Sequence, residues 1–478
     1  MHVNTYKGYE MVIGLEVHVE LKTAAKIFCD CPTTFGAPPN TQCCPVCMGM
    51  PGTLPVLNSQ VVEFAIKAGL ATGCRVSPRS RQDRKNYFYP DLPKAYQISQ
   101  YDLPLCEGGA LSIETEGGQK TVGITRIHIE EDAGKLVHLP GGGTLIDCNR
   151  CGVPLIEIVS EPDIRSAEEA KAYLQKLRAV ILYTGISDCK MQEGSLRCDV
   201  NLSVRPAGEE ALGTRTEMKN LNSFQSVTRA IEYEFRRQVD ALEAGEAIVQ
   251  ETRRFDQNSG KTLSMRRKEN ANDYRYFPDP DLPPIRVDEA YLARLQGEIP
   301  ALPDARKADY VARFGLTPYA AEQLTARREV ADYFEAAAVR CRHPALAANL
   351  ILGEVLSLLG EDGGEIPLSP AHLAALCELW GEGKINSSTC RRALEALWRQ
   401  DGPPEEWIET QGLWQITDET ALAQLAQEAV RAAPRSASDY RRGKKAALQA
   451  LVGRVMKATQ GRADPARTQD ILRRLLDR

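Results

Sequence analysis

From Ile13 to Leu21 every second residue is apolar: Ile13, Leu15, Val17, Val19 and Leu21 alternate with Gly14, Glu16, His18 and Glu20. A helix, with its period of 3.6, would scatter those apolar side chains around its axis. A strand, with a period of two, sends them all to one face and sets Glu16, His18 and Glu20 together on the other. The chain must therefore build a sheet with one covered face and one face carrying ionisable groups. Leu196-Arg197-Cys198-Asp199-Val200-Asn201-Leu202 alternates in the same way, with Arg197, Asp199 and Asn201 sharing a face. In Leu155-Ile156-Glu157-Ile158-Val159 a single acid interrupts an apolar run. An ionised carboxylate in such surroundings needs a cation or donors beside it. A fourth apolar segment, Ile127-His128-Ile129, ends in three acids, Glu130, Glu131 and Asp132. Any one of these polar faces can simply be solvated. Together they describe a concave sheet face lined with hard ligands, suited to Mg²⁺, which takes oxygen ligands and bridges to phosphates. That points to phosphoryl transfer, where positioning and charge neutralisation supply most of the catalysis.

Strands are expected over Val12–Leu21, Val122–Glu130, Val153–Val159 and Leu196–Val204, and helices over Gln60–Thr72, Ala167–Thr184 and Ser223–Ala244. Strands and helices mix without a strict βαβ rhythm, so the class is α+β. The proline-dense Asp279-Pro280-Asp281-Leu282-Pro283-Pro284 ends regular structure. Beyond it the pattern is helical, interrupted at Gly360–Pro370 and at Asp401-Gly402-Pro403-Pro404. The expected domains are 1–292, 293–404 and 405–478. No apolar run reaches the ~20 residues that span a bilayer, and Met1–Glu10 lacks the apolar stretch of a secretory signal. The expected compartment is cytoplasmic, with no membrane partner. The net charge is −5, yet Arg435–Arg478 holds twelve Lys/Arg against four Asp/Glu. A basic tail on an acidic body suits a polyanion contact.

Of fourteen cysteines, five fall within Cys29–Cys47. In a reducing compartment clustered thiols read as metal ligands before disulfides. Zinc takes four such ligands in a tetrahedron, and Cys29 and Cys31 with Cys44 and Cys47 supply two close pairs separated by a loop. Cys43 is left spare, and whether Cys43 or Cys44 binds stays open. Four thiolates leave no open position for substrate, so the site is expected to be structural. Ser259-Gly260-Lys261-Thr262 resembles the end of a P-loop, but Phe255 stands where its first glycine belongs. No nucleophile elbow or serine–lysine amidase signature appears, which argues against a self-contained hydrolase. Asp83–Asp91 and Asp273–Asp279 interleave basic and aromatic residues, a composition that can stack on a nucleotide, contact RNA or pack on the core.

Several long strings together resemble one family. They are VIGLEVHVEL from Val12, CPVCMGMPGTLPVLN from Cys44, DRKNYFYPDLPKAYQISQYD from Asp83, ITRIHIEEDAGK from Ile124 and PLIEIVSEPDI from Pro154. EGSLRCDVNLSVRP from Glu193, EMKNLNSFQSV from Glu217, DYRYFPDPDLPP from Asp273 and GRVMKATQGRADP from Gly453 complete the set. They are similar to the B subunits of the bacterial tRNA-dependent amidotransferases acting on Asp-tRNA(Asn) and Glu-tRNA(Gln).

The resemblance implies an N-terminal cradle similar to the glutamine-synthetase fold, then helical domains ending in a YqeY-like tRNA-binding tail. It implies an ATP- and Mg²⁺-dependent kinase and transamidase. ATP phosphorylates the side-chain carboxylate of mischarged Glu-tRNA(Gln) or Asp-tRNA(Asn), and ammonia from a partner amidase (A) subunit displaces the phosphate. A small C subunit ties the two together, and the cognate non-discriminating aminoacyl-tRNA synthetase is a further possible partner. Carried over by motif, Glu16, His18, Glu131, Glu157 and Asp199 form the Mg²⁺ and kinase centre. Lys85 and Arg197 stand where they can neutralise phosphate, or equally pair with nearby acids. Two other readings stay open at this point: an ATP-dependent ligase amidating a free amino acid, and a non-catalytic tRNA-binding scaffold.

Overall fold

Strand β1 (Tyr9–Glu20) runs through the middle of a ten-stranded sheet in a computed structural model that describes residues 5–267, 271–360 and 364–477. The other strands used below are β2 (Arg75–Val76), β3 (Cys106–Thr115), β4 (Gly118–Glu131), β5 (Pro154–Ser160) and β6 (Leu196–Pro206). They are followed by β7 (Thr216–Lys219), β8 (Glu251–Asp256) and β9 (Lys261–Arg267). The order across the sheet is β9-β8-β7-β6-β1-β5-β4-β3-β2, with Thr5–Tyr6 folded back on β1. Only the β7–β8 pair is parallel; β1 is antiparallel to both its long neighbours, β5 and β6. The mixed sheet and its helices give the expected α+β class.

Alternation along β1 works as the sequence requires. Ile13, Leu15, Val17 and Val19 are all buried in one core with helices α1 (Ser59–Ala71), α2 (Ala167–Thr184) and α3 (Phe224–Glu243). The helix starts are set by side-chain caps: Asn58, Ser166 and Ser223 accept from the backbone N–H of Gln60, Glu169 and Ser226. Gly185, at φ 73°, ends α2 in the left-handed region that glycine enters at little cost. With α1–α3 covering one face, the opposite face of β1, β5 and β6 is left for ionisable side chains. Ser259–Gly260 is the turn of the β8–β9 hairpin and precedes no helix, in keeping with rejection of a P-loop there.

The chain divides into two units, Met1–Leu302 and Pro303–Arg478. The second is helical among its described residues. Near its end, the helix Ala446–Ala458 buries Leu448, Leu451, Val452 and Val455 against Leu422, Ile471 and Leu472. Among the described residues no helix is long and apolar enough to cross a membrane.

Candidate active site and thiolate cluster

Strand register assembles the acids. Glu157 on β5 lies directly opposite His18 on one side and His128 on the other. On β6, Asp199 lies opposite Glu16 and Arg197 opposite His18. Two groups result. Ligand atoms of His18, Glu130 and Glu157 fall within 4.8 Å of one another, as do those of Glu16, Asp199 and Glu217. In the first group His18 Nε2 is 3.3 Å from Glu130 and 3.5 Å from Glu157, and His128 Nε2 is 3.4 Å from Glu157. Burial disfavours charge on His18, but its two carboxylate partners outweigh that and hold the imidazole well above the ordinary histidine range. Burial likewise opposes ionisation of Glu157, and the His128 and His18 charges overcome it and hold this carboxyl well below its usual value. In the second group the Lys219 ammonium pairs with Asp199 and lies 3.4 Å from Glu217, while Asn201 Nδ2 donates to Glu16 at 2.9 Å.

His18, Glu130, Asp199 and Lys219 line one cavity of ≈ 570 Å³ that also receives Lys85 and Arg197. The Lys85 ammonium lies 4.8 Å from the ring centre of Tyr274 and 5.8 Å from that of Tyr87. Its strand, Asp83–Asn86, pairs with Phe277–Pro278, and Arg84 bonds Asp279 and Asp281 at 2.8 Å each, so the two basic–aromatic loops are one structure. Arg197 is engaged by Asp132, with Nη1 and Nη2 donating at 3.2 and 2.9 Å. Its guanidinium charge is thus already paired within the protein.

Glu131, expected in the His18 cluster, is not brought there. It follows Glu130 on β4 and so points to the opposite side of the strand. There it pairs with Lys94 and accepts from Ile98 N–H at 2.8 Å. Glu130 occupies the expected position. The sequence places His128 and Glu130 on an acid-ended strand without assigning them to the centre, and it gives Glu217 and Lys219 no part in it.

The cysteine loop closes as its spacing suggests. Sulfurs of Cys29, Cys31, Cys44 and Cys47 lie within 4.8 Å of one another. Cys43 turns away, its thiol 3.3 Å from Asn40 O. The turn is built by bonds from Met48 N to Cys44 O and from Met50 N to Pro45 O, and by Gly49 at φ 65°. Four clustered thiols fit a tetrahedral zinc ion.

A family model described as the GatB/GatE catalytic domain matches residues 11–293, and one described as the GatB domain matches 332–476. The chain is 54% identical over 477 residues to the aspartyl/glutamyl-tRNA(Asn/Gln) amidotransferase B subunit of Caldicellulosiruptor saccharolyticus, covering 98% of this chain and 99% of that one. The B subunits of Carboxydothermus hydrogenoformans and Geobacter sulfurreducens are 53% and 52% identical, each aligning over 98% of this chain and over 98% and 99% of their own lengths. The chain belongs to the amidotransferase B-subunit family. As such it is one component of a tRNA-dependent amidotransferase.

One further acid of this B subunit has a measurable signature. Glu20, the third polar residue of the β1 face, is pushed up to about 7 by burial and by Asp132, partly offset by Arg197 and Arg150. Between its ordinary value of 4.5 and about 7 the folded protein retains a proton that the unfolded chain has released. This group therefore lowers stability as pH rises through that window. Glu20→Gln is expected to raise the urea midpoint relative to wild type at pH 8 and to leave it nearly unchanged at pH 4. Equal differences at both pH values would contradict this.

Proposed function

We propose that this B subunit is the kinase and transamidase of its complex. It transfers the γ-phosphoryl group of ATP to the side-chain carboxylate of mischarged Glu-tRNA(Gln) or Asp-tRNA(Asn). Ammonia then attacks the acyl phosphate carbon, forming the amide and releasing inorganic phosphate. The carrying observation is the cavity lined by His18 and Glu130 of the first group and Asp199 of the second, together with Lys85 and Lys219. Carboxylates and an imidazole suit Mg²⁺, and ammonium groups suit phosphate. Glu130 and Glu157, with His18 once the incoming ion takes the place of its proton, would hold one ion, and Glu16, Asp199 and Glu217 a second once Lys219 swings to the phosphates. Bound there, Mg²⁺ supplies charge neutralisation and alignment of the phosphate oxygens. Lys85, held against Tyr87 and Tyr274, faces the developing charge on the transferred group. Arg197 orients Asp132 at the cavity wall. Cys29, Cys31, Cys44 and Cys47 would hold a structural zinc ion.

The working complex is cytoplasmic and includes an amidase subunit that supplies the ammonia and a small third subunit. The catalytic unit is a cradle of the glutamine-synthetase kind, and 405–478 is the tRNA-binding tail. The test is co-purification with the amidase and third subunit, followed by amide formation on both mischarged tRNAs with ATP. Phosphate release driven by free glutamate without tRNA would favour a small-molecule ligase. Full amide synthesis by Asp199→Ala would favour a scaffold.

The tail yields its own expectation. Lys444 and Lys445, just before the helix Ala446–Ala458, and Arg454 and Lys457 on it are exposed, while the apolar stripe of that helix is buried in its own domain. Phosphate contacts release counterions, so replacing these four by glutamine is expected to weaken tRNA binding and reduce its log–log salt slope, by roughly 0.7–0.9 for each phosphate released from a basic side chain. An unchanged slope in filter binding at several salt concentrations would leave these bases to solubility.

A further inference from the structure

Lys26 is fully buried, at 0% exposure. Its ammonium finds three acceptors for three N–H groups: Gln42 O at 2.7 Å, Cys148 O at 3.3 Å and Cys47 Sγ at 3.6 Å. Among the described residues no carboxylate is within ion-pairing distance of Nζ. Carbonyl oxygens satisfy the hydrogen bonds of a buried cation, but they do not neutralise it, and an unneutralised buried charge is costly. The only acceptor here able to carry a full charge is the Cys47 sulfur, one of the four clustered thiols. A divalent ion held by four thiolates carries the complementary excess of negative charge.

We infer that Lys26 is the built-in counter-charge of the thiolate centre, a positioning residue that stabilises the metal-bound sulfurs through Cys47. This rests on the zinc reading above. The same ammonium fastens the metal loop to the Cys148–Cys151 turn. Cys148 N donates to Asn40 Oδ1 at 2.7 Å, and Asn149 accepts from Gln42 N at 2.8 Å and donates to Pro38 O at 2.7 Å. From the far side of that turn, Arg150 donates to Ala133 O at 2.9 Å and lies 3.3 Å from Asp132, the partner of Arg197. The metal loop and the wall of the acidic cavity thus share one turn, and Lys26 is bonded to both the loop and the turn.

The test uses the full-length chain as wild type, Lys26→Met, Cys47→Ser and the double variant. Zinc affinity is measured by chelator competition, and the thiolate environment by the cobalt(II) charge-transfer band. Loss of a partner of a metal ligand typically costs about 10–100-fold in affinity. That loss is expected for Lys26→Met, together with a shift of the cobalt band to longer wavelength as Cys47 loses a donor and a neighbouring cation. In urea unfolding, Lys26→Met should cost zinc-loaded wild type more than it costs the Cys47→Ser background. Unchanged affinity and spectrum would overturn the proposal, as would equal destabilisation in both backgrounds, which would leave Lys26 serving only the two carbonyls. If Lys26→Met does not fold, Lys26→Gln, which keeps a donor and removes the charge, takes its place with the same readouts. A wild-type chain that takes up no zinc under reducing conditions overturns the metal reading itself and the proposal with it. Zinc bound equally by wild type and variant overturns the role of Lys26 alone.

Discussion

Alanine at Glu157 is expected to stop tRNA-dependent ATP hydrolysis and amide formation while leaving the basal glutaminase activity of the partner amidase largely intact. Among the described residues Glu157 is the one carboxylate whose cross-strand neighbours are both histidines, His18 on β1 and His128 on β4. Removing it takes away a candidate metal ligand. It also leaves two close imidazoles with only Glu130 to balance them, so the remaining groups lose the geometry as well as the charge. Loss of a single charge-stabilising group in a water-poor site costs on the order of 10²–10³-fold in turnover. Loss of an ion that aligns the phosphates should cost at least that. Asp199→Ala should act in the same direction through the second group, since it leaves Lys219 to Glu217 alone and strips a ligand from beside Glu16 and Glu217. The measurement is amide formed per complex at saturating tRNA and ATP, with thermal unfolding recorded to separate chemistry from stability. Near-normal synthesis by both variants would remove these residues from the mechanism.

What could be read in advance follows the range of the interactions involved. Period-two alternation is local, so the long strands and the polar face of β1 and β6 were visible in the sequence. The choice between Glu130 and Glu131 was also present there. Ile127 and Ile129 point into the core, which puts Glu131 on their side of β4 and His128 and Glu130 on the other. The resemblance pointed to Glu131, and the parity of the strand decides for its neighbour. Glu217 and Lys219 gave no such signal, because β7 is only four residues long and a period cannot be established over it. The pairing of Phe277 with Arg84 joins segments almost two hundred residues apart, and no local pattern announces it. The Cys43/Cys44 ambiguity was likewise beyond spacing, because adjacent thiols differ only in which way the turn directs them.

The largest stability change is expected at Glu234, a carboxylate on α3 with no exposure to solvent. It accepts from Thr216 at 2.9 Å, Thr262 at 2.7 Å and Gln238 at 3.0 Å, and from Arg237 at 2.9 and 2.6 Å. Arg253 Nε lies 3.3 Å away. One side chain thereby fastens β7, β8 and β9 to the helix that covers them. Glu234→Ala would take from Arg237 its carboxylate partner, from Arg253 one of its two, and from the hydroxyls of Thr216 and Thr262 their shared acceptor. Breaking a buried ion pair by deleting one partner costs about 3–5 kcal/mol, and that is the loss expected in urea unfolding at pH 7. Burial raises the pKa of Glu234, but the Arg237 hydrogen bonds and charge outweigh it and hold the carboxyl below its ordinary value. Its contribution is therefore present above the pKa of the unfolded chain and lost as pH falls through the folded one. The gap between variant and wild type should narrow on acidification below about pH 4, near the reference glutamate value. Because β7 carries Lys219 into the cavity and Glu217 beside Asp199, the variant should also lose activity at temperatures where it is still folded. A wild-type urea midpoint at pH 7 would mean that this network does not hold the strands.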